Sequence, residues 1–329
     1  MSDTPAQDAP PAEDPEIEEA LRVCIAHHEG GMLVEARAGL EAVLAGHPDN
    51  ANALHLLGLV RFAQGDTQTG AALVGRALER APEFNVAAGN LATMLRMMHR
   101  PGEAMALLRK TVGSRPDDPE ALRNLGFSLM AQGEAAEAAE MFLKAVRLTP
   151  GDPLAHAGLG GARLVQQRYQ EAEASLRQAL GLAPANPEIH MHLAVALRML
   201  GKPDEAIGSL RVALLLRQNY PEARTNLGLF LLERGRVDEA LASLRQAATE
   251  DPQRGQAHFA IGQILAGQGD TAGAVASLRR ALETLANPTL AHNALVGMLG
   301  GNANLGELIE VERLMASRQP GAAAPQVRL

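Results

Sequence analysis

Tryptophan is absent from this chain of 329 residues, and aromatic residues make up only 2% of it. A core without large rings has to be assembled from Ala, Leu, Val and Met, which suit close helix packing better than a sheet. There is a single cysteine, Cys24, so no disulfide can form within the chain. Lysine occurs only at positions 110, 144 and 202, and no long basic run exists. With a formal net charge of −8, nucleic acid is not expected as a partner. No run of about 18 apolar residues is present, so no membrane insertion is expected. The opening residues MSDTPAQDAPPAEDPE lack a basic region followed by an apolar one, so no secretory leader is expected and the predicted location is cytoplasmic.

Proline is present in a regular pattern. Pro48, Pro82, Pro116, Pro150 and Pro184 stand 34 residues apart, and Pro252 follows after one skipped beat. A fixed period of this length marks an array of one small unit stacked on itself. The units run 17–50, 51–84, 85–118, 119–152, 153–186, 187–220, 221–254 and 255–288, with a degenerate ninth at 289–318. Residues 1–16, acidic and proline-rich, and the tail 319–329 are predicted to be disordered.

Aligned on this period, the columns acquire physical meaning. The seventh residue is apolar throughout, from Val23 and Leu57 to Ile261, and the eighth is Gly, Ala or Cys24. The twentieth is Ala or Gly, and the twenty-fourth is Leu, Val or Phe142. Offsets 4, 7 and 8, then 20, 24 and 27, each fall on one face of a helix. Each unit is therefore predicted to hold two helices, with small residues at the eighth and twentieth positions admitting close approach. Gly31, Gly65, Gly133, Gly201, Gly235 and Gly269 occupy the fifteenth position, where positive φ closes the first helix. His99-Arg100-Pro101 replaces that glycine in unit 85–118, so its turn is expected to differ. Asp118-Pro119, Asp152-Pro153 and Asn186-Pro187 read as caps followed by proline at the first helical position.

These columns, with segments such as Asn124-Leu125-Gly126 and Asn226-Leu227-Gly228, resemble the tetratricopeptide repeat over residues 17–318. The resemblance implies an all-α, right-handed superhelical solenoid of antiparallel helix pairs. Its first helices would line a concave groove that binds peptide segments. Gln218 stands where a lattice proline is expected and marks a seam, and Ala286 replaces the last lattice proline, with Pro288 shifted by two. Leu305–Met315 reads as an amphipathic capping helix without the small residue at its twentieth position.

The candidate chemistry largely reduces to packing. His156, His190, His258 and His292 share the fourth position, and successive units lie roughly 10 Å apart. That is too far for two of them to share a metal with bonds of about 2 Å, so no metal and no cofactor are expected. Cys24 falls in the small-residue column and reads as a buried residue rather than a nucleophile. No phosphate-loop, dinucleotide, zinc-protease or nucleophile-elbow pattern occurs, so the chain is not expected to be an enzyme.

Asn90, Asn124 and Asn226 hold the sixth position and resemble the asparagine ladder in the arrays of bacterial O-linked N-acetylglucosamine transferase-like proteins. An amide can donate and accept, and so can hold an extended main chain. Ordinary polar surface residues are the alternative. Leu56, Gly158, His192 and Ala260 interrupt the ladder. The expected groove comprises Asn90, Arg96, Arg123, Asn124, Phe127, Met191, His192, Arg198, Asn226 and Leu229. Its arginines would favour acidic segments. The reading is a non-catalytic scaffold holding a protein or peptide partner, extended or helical. An alternative is the substrate-recognition component of a glycosyl- or sulfotransferase system whose catalytic domain is on another chain. Self-association into a homo-oligomer is a third reading, which nothing in the sequence demands.

Overall fold

The computed structural model describes residues 15–300 and 305–318. The expected disorder at 1–14 and 319–329 lies outside the described residues. Helix begins at Pro15, two residues before the expected first unit. The described residues form α-helices joined by short turns, with no strand among them. The chain divides into two compact units, residues 1–182 and 183–329.

In the first unit, the first helices of the pairs are α1 (Pro15–Glu29), α3 (Ala51–Ala63), α5 (Asn85–Met97), α7 (Pro119–Ala131) and α9 (Pro153–Val165). Their partners are α2 (Leu33–Gly46), α4 (Thr67–Arg80), α6 (Pro101–Ser114), α8 (Ala135–Leu148) and α10 (Tyr169–Leu182). In the second unit, α11 (Pro187–Met199), α13 (Pro221–Glu233), α15 (Gly255–Gly267) and α17 (Thr289–Gly300) alternate with α12 (Pro203–Leu216), α14 (Val237–Glu250), α16 (Thr271–Thr284) and α18 (Leu305–Arg318). Within each unit a first helix packs on its own second helix, and that second helix packs on the next first helix. First helices also touch one another, α5 against α7 and α7 against α9 in the first unit and α13 against α15 in the second.

The small-residue columns explain the pairing. Alanine at the twentieth position is fully buried from Ala36 to Ala274, and the twenty-fourth residue, from Leu40 to Leu278, is at most 2% exposed. A Cβ placed on Gly160, Gly228 or Gly262 at the eighth position would lie 2.5–2.6 Å from Cγ of Leu176, Leu244 or Leu278. Glycine at these positions is what lets the paired helices close to that distance. Cys24, 3% exposed, fills the same column in the first pair, and burial raises its thiol pKa.

The first helices α1, α3, α5, α7, α9, α11, α13 and α15 end in the same paired backbone bonds. In α7, for example, Glu134 N–H donates to Leu129 O at 2.9 Å and Gly133 N–H to Met130 O at 3.1 Å. The residue at the turn has positive φ, as the glycines were expected to allow. The expectation that the turn at His99 would differ is overturned. His99 takes φ 58° and keeps the same two bonds, Arg100 N–H to Leu95 O at 2.8 Å and His99 N–H to Arg96 O at 3.0 Å. Gln167 does likewise at φ 60°. The backbone bonds outweigh the strain of a side chain in the left-handed region, roughly 1–2 kcal/mol.

Other punctuation is also local. Asp118 and Asn186 accept from backbone N–H groups of Ala121 at 2.8 Å and Glu188 at 3.0 Å, and Asp152 caps α9 in the same way. Three of the four fourth-position histidines secure the turn before their own helix. Nε2–H of His156, His190 and His258 donates to the lattice carbonyls of Pro150, Pro184 and Pro252 at 3.0, 2.9 and 3.1 Å. Arg224 donates to Gln218 O in the same register. Gln218 and Ala286 leave the 34-residue spacing of helix starts intact, but their turns open into bends. In the last pair, Leu308 occupies the small-residue column, and Glu312 replaces the apolar knob and pairs with His292 at 3.2 Å.

Restoring glycine at the strained turn should stabilise the chain. Gln167→Gly is expected to gain about 0.5–1 kcal/mol, and Gly133→Ala to lose a similar amount. Urea denaturation followed by circular dichroism checks both, and equal midpoints for the wild type and Gln167→Gly would refute the strain.

Candidate functional site

Side chains that project between neighbouring first helices pair at a spacing set by the repeat. A residue on one first helix meets the residue 35 positions later on the next. Asn90 Nδ2 lies 2.9 Å from His55 Nε2. A Cβ on Gly89 would collide with the Asn124 carboxamide. Arg198 donates from Nε to Glu233 Oε2 at 2.9 Å.

In the first unit this spacing gives the expected residues different roles. Asn90 is engaged by His55, which is 5% exposed and meets Phe84 edge-to-face at 4.9 Å. Burial lowers the His55 pKa to about 4, so the ring is neutral at pH 7. Arg123 is neutralised, with Nη1 2.6 Å from Asp152 and Nη2 3.3 Å from Glu120. Asn124 is half-buried and makes no hydrogen bond among the described residues. Phe127 is half-buried and stands edge-to-face on Phe142 at 4.9 Å. Arg96 is half-buried, its Nη2 3.4 Å from Thr93 Oγ1 and its Nη1 3.5 Å from Phe127 O.

Phe142 also explains why the asparagine column breaks at Gly158. The ring fills the space where a Gly158 side chain would begin, and a Cβ on Gly126 would lie 2.8 Å from it. The bulkiest twenty-fourth residue thus requires glycine on two first helices.

In the second unit, Met191 is 5% exposed and belongs to the core rather than the surface. His192 is half-buried, and burial lowers its pKa while Glu222 and Glu188 oppose that shift. Arg198 is exposed, held by Glu233, and its guanidinium lies 5.1 Å from the centre of the Phe230 ring. Asn226 is half-buried with no hydrogen bond among the described residues, and Leu229 is half-buried. Leu59, Phe62, Met130, Val195, Leu232 and Phe259 are also half-buried on first helices.

Reading the columns singly missed Thr93, Gly89 and the counter-ion Glu233. Pairing residues 35 apart identifies Glu233 and Gly89 as neighbours of Arg198 and Asn124. Met97 and Val165, 65% and 61% exposed at the thirteenth position beside the equivalent Met199, were also overlooked. Among the described residues no three His, Cys, Asp or Glu side chains are grouped to hold a metal, and no helix is long and apolar enough to cross a membrane.

Stacked helix pairs at one fixed spacing define a helical repeat protein. Profiles of the tetratricopeptide repeat match residues 34–86, 95–162, 163–227, 213–255 and 225–288, more than half of the chain. The chain belongs to the tetratricopeptide repeat family. Among solved structures it is similar to a chain of the APC/C hetero-tetramer Cut9–Hcn1, at 20% identity and a TM-score of 0.68 over 85% of this chain. It spans only 55% of that chain. It is similar to pilF of Pseudomonas aeruginosa at 20% identity and a TM-score of 0.53, over 60% of this chain and 90% of that one. It also matches YrrB, described as having an unusual peptide-binding site, at 26% identity and a TM-score of 0.45, over 57% of this chain and 96% of that one. At these levels the likeness is one of fold. A search of the curated proteins gave no match. Nothing in these matches supports the finer resemblance to transferase arrays.

Two outcomes test this geometry. Gly158→Ala is expected to destabilise the chain by roughly 1–3 kcal/mol through overpacking, and Phe142→Leu in the same chain should recover most of that loss in urea melts. Additive losses in the double variant would refute the coupling. The second concerns pH. The unfolded chain protonates His55 near its ordinary pKa of 6.5 and the folded chain near 4, so between those values the unfolded state binds the extra proton. The His55 contribution is complete above about pH 6.5 and is lost as pH falls towards 4. Thermal melts from pH 7 to 4 should therefore fall more steeply for the wild type than for His55→Gln.

Proposed function

We propose that this chain is a non-catalytic scaffold that holds a segment of a partner protein across its first helices. The observation that carries this reading is the pair of sixth-position amides. Asn124 and Asn226 are half-buried and without hydrogen bonds among the described residues, and Asn124 stands against Gly89 of the neighbouring first helix. Such an amide can donate to a main-chain carbonyl and accept from a main-chain N–H without reading side chains. Apolar groups stand on the same helices, Phe127 and Met97 in the first unit and Leu229 and Met199 in the second. They supply burial for a partner segment. Of the expected groove residues, Arg123 and Arg198 serve by holding carboxylates, and Met191 by supporting the helix beneath. The partner class is protein rather than nucleic acid, in keeping with the net charge of −8. A cytoplasmic location goes with this reading.

Twelve-residue peptides selected by display against the full chain provide the probe. Asn124→Ala combined with Asn226→Ala is expected to weaken their binding about five- to tenfold in fluorescence anisotropy, the worth of one or two hydrogen bonds. The thermal midpoint should not move, because neither amide holds the fold together. Unchanged affinity would remove the groove assignment.

A further inference from the structure

The first helices carry seven arginines among the described residues, and six of them face a carboxylate within 4 Å. Arg22 pairs with Glu19, Arg61 with Glu41, Arg123 with Asp152 and Arg163 with Glu171 in the first unit. Arg198 pairs with Glu233 and Arg224 with Glu250 in the second. Arg96 is the exception. Its only hydrogen bonds among the described residues are the long ones to Thr93 Oγ1 and Phe127 O. The Thr93 hydroxyl donates to Gly89 O at 3.1 Å, so its oxygen is left to accept from Arg96. The guanidinium is thereby oriented between α5 and α7 while most of its five donors remain unused.

We propose that Arg96 is the anchor for a carboxylate side chain of the partner segment, an Asp or Glu in an extended stretch lying across α5 and α7. This rests on the scaffold reading above and narrows it. A guanidinium takes a carboxylate through two parallel N–H···O bonds, and a half-buried setting strengthens them over a solvated pair. Phe127, whose backbone carbonyl Arg96 reaches, is half-buried on α7. Asn124 meets α5 at Gly89, about two helical turns from Arg96, roughly 10 Å along the axis. That distance corresponds to about three residues of extended chain. The bound segment therefore places its acidic residue on Arg96 and its main chain, about three residues away, on Asn124. Arg123 and Arg198 do not contribute to this preference, because their charge is spent within the chain.

The display library is panned against the full chain and against Arg96→Gln and Arg96→Lys. Wild type and Arg96→Lys should enrich peptides with Asp or Glu at one fixed position, and Arg96→Gln should not. Changing that acid to Gln, or Arg96 to Gln, should each raise Kd about tenfold or more, as expected for a charged hydrogen-bond pair. Thermal melts establish that Arg96→Gln keeps the fold, and Arg96→Lys separates loss of charge from loss of the contact with Phe127. Acidic peptides bound equally by wild type and Arg96→Gln would overturn the proposal. Acid-free peptides that still depend on Asn124 would overturn it and leave the scaffold reading standing. Failure to enrich any peptide sensitive to Asn124 and Asn226 would remove both.

Discussion

Where Gly228 faces Leu244 there is no room for one more methyl group, since a Cβ would sit 2.6 Å from Leu244 Cγ and 3.2 Å from the Ala240 carbonyl. The same contact recurs at Gly160 with Leu176 and at Gly262 with Leu278. In these pairs a backbone pressed against an apolar knob and a neighbouring carbonyl sets how closely the first helix meets its own second helix. With almost no aromatic residues to fill a wider gap, closeness supplies the dispersion contact that ring volume would otherwise provide. Phe142 shows how the constraint propagates. A larger knob takes its space from Gly126 in its own pair and from Gly158 in the next. The cost is a missing amide in the sixth-position column.

The side-by-side placement of first helices then decides which polar groups are available. A residue meets its neighbour 35 positions on, one more than the period, because adjacent first helices are offset by one residue where they touch. His55 takes up Asn90, and Glu233 takes up Arg198. Groups that look alike in a column therefore differ in availability. Asn124 faces a glycine and keeps its amide, and Arg96 finds no carboxylate among the described residues. The few polar groups that internal pairing leaves over stand beside half-buried apolar side chains.

Local punctuation was legible in the sequence because its causes lie within a few residues. A glycine at the fifteenth position, an Asp or Asn before proline, and a small residue at the eighth each act through backbone geometry or direct contact. His99 was the instructive failure. Its bulk suggested a different turn, yet two backbone bonds hold the same turn and impose positive φ on it. The shared column of His156, His190 and His258 was visible, but not the carbonyls six residues before them that accept their protons. Met191 reads as a groove residue from its position and is core in fact, at 5% exposure.

By itself the sequence determined the period, the paired helices, their caps and closures, and the close contact within each pair. These follow from turns and helix faces, whose interactions span at most one repeat. Only the tertiary structure decided which of the expected groove residues are spent. The ion pair of Arg123 with Asp152, the covering of Gly158 by Phe142 and the isolation of Arg96 depend on the packing between successive pairs. That packing is set by side-chain volume and helix offset, which no single column records.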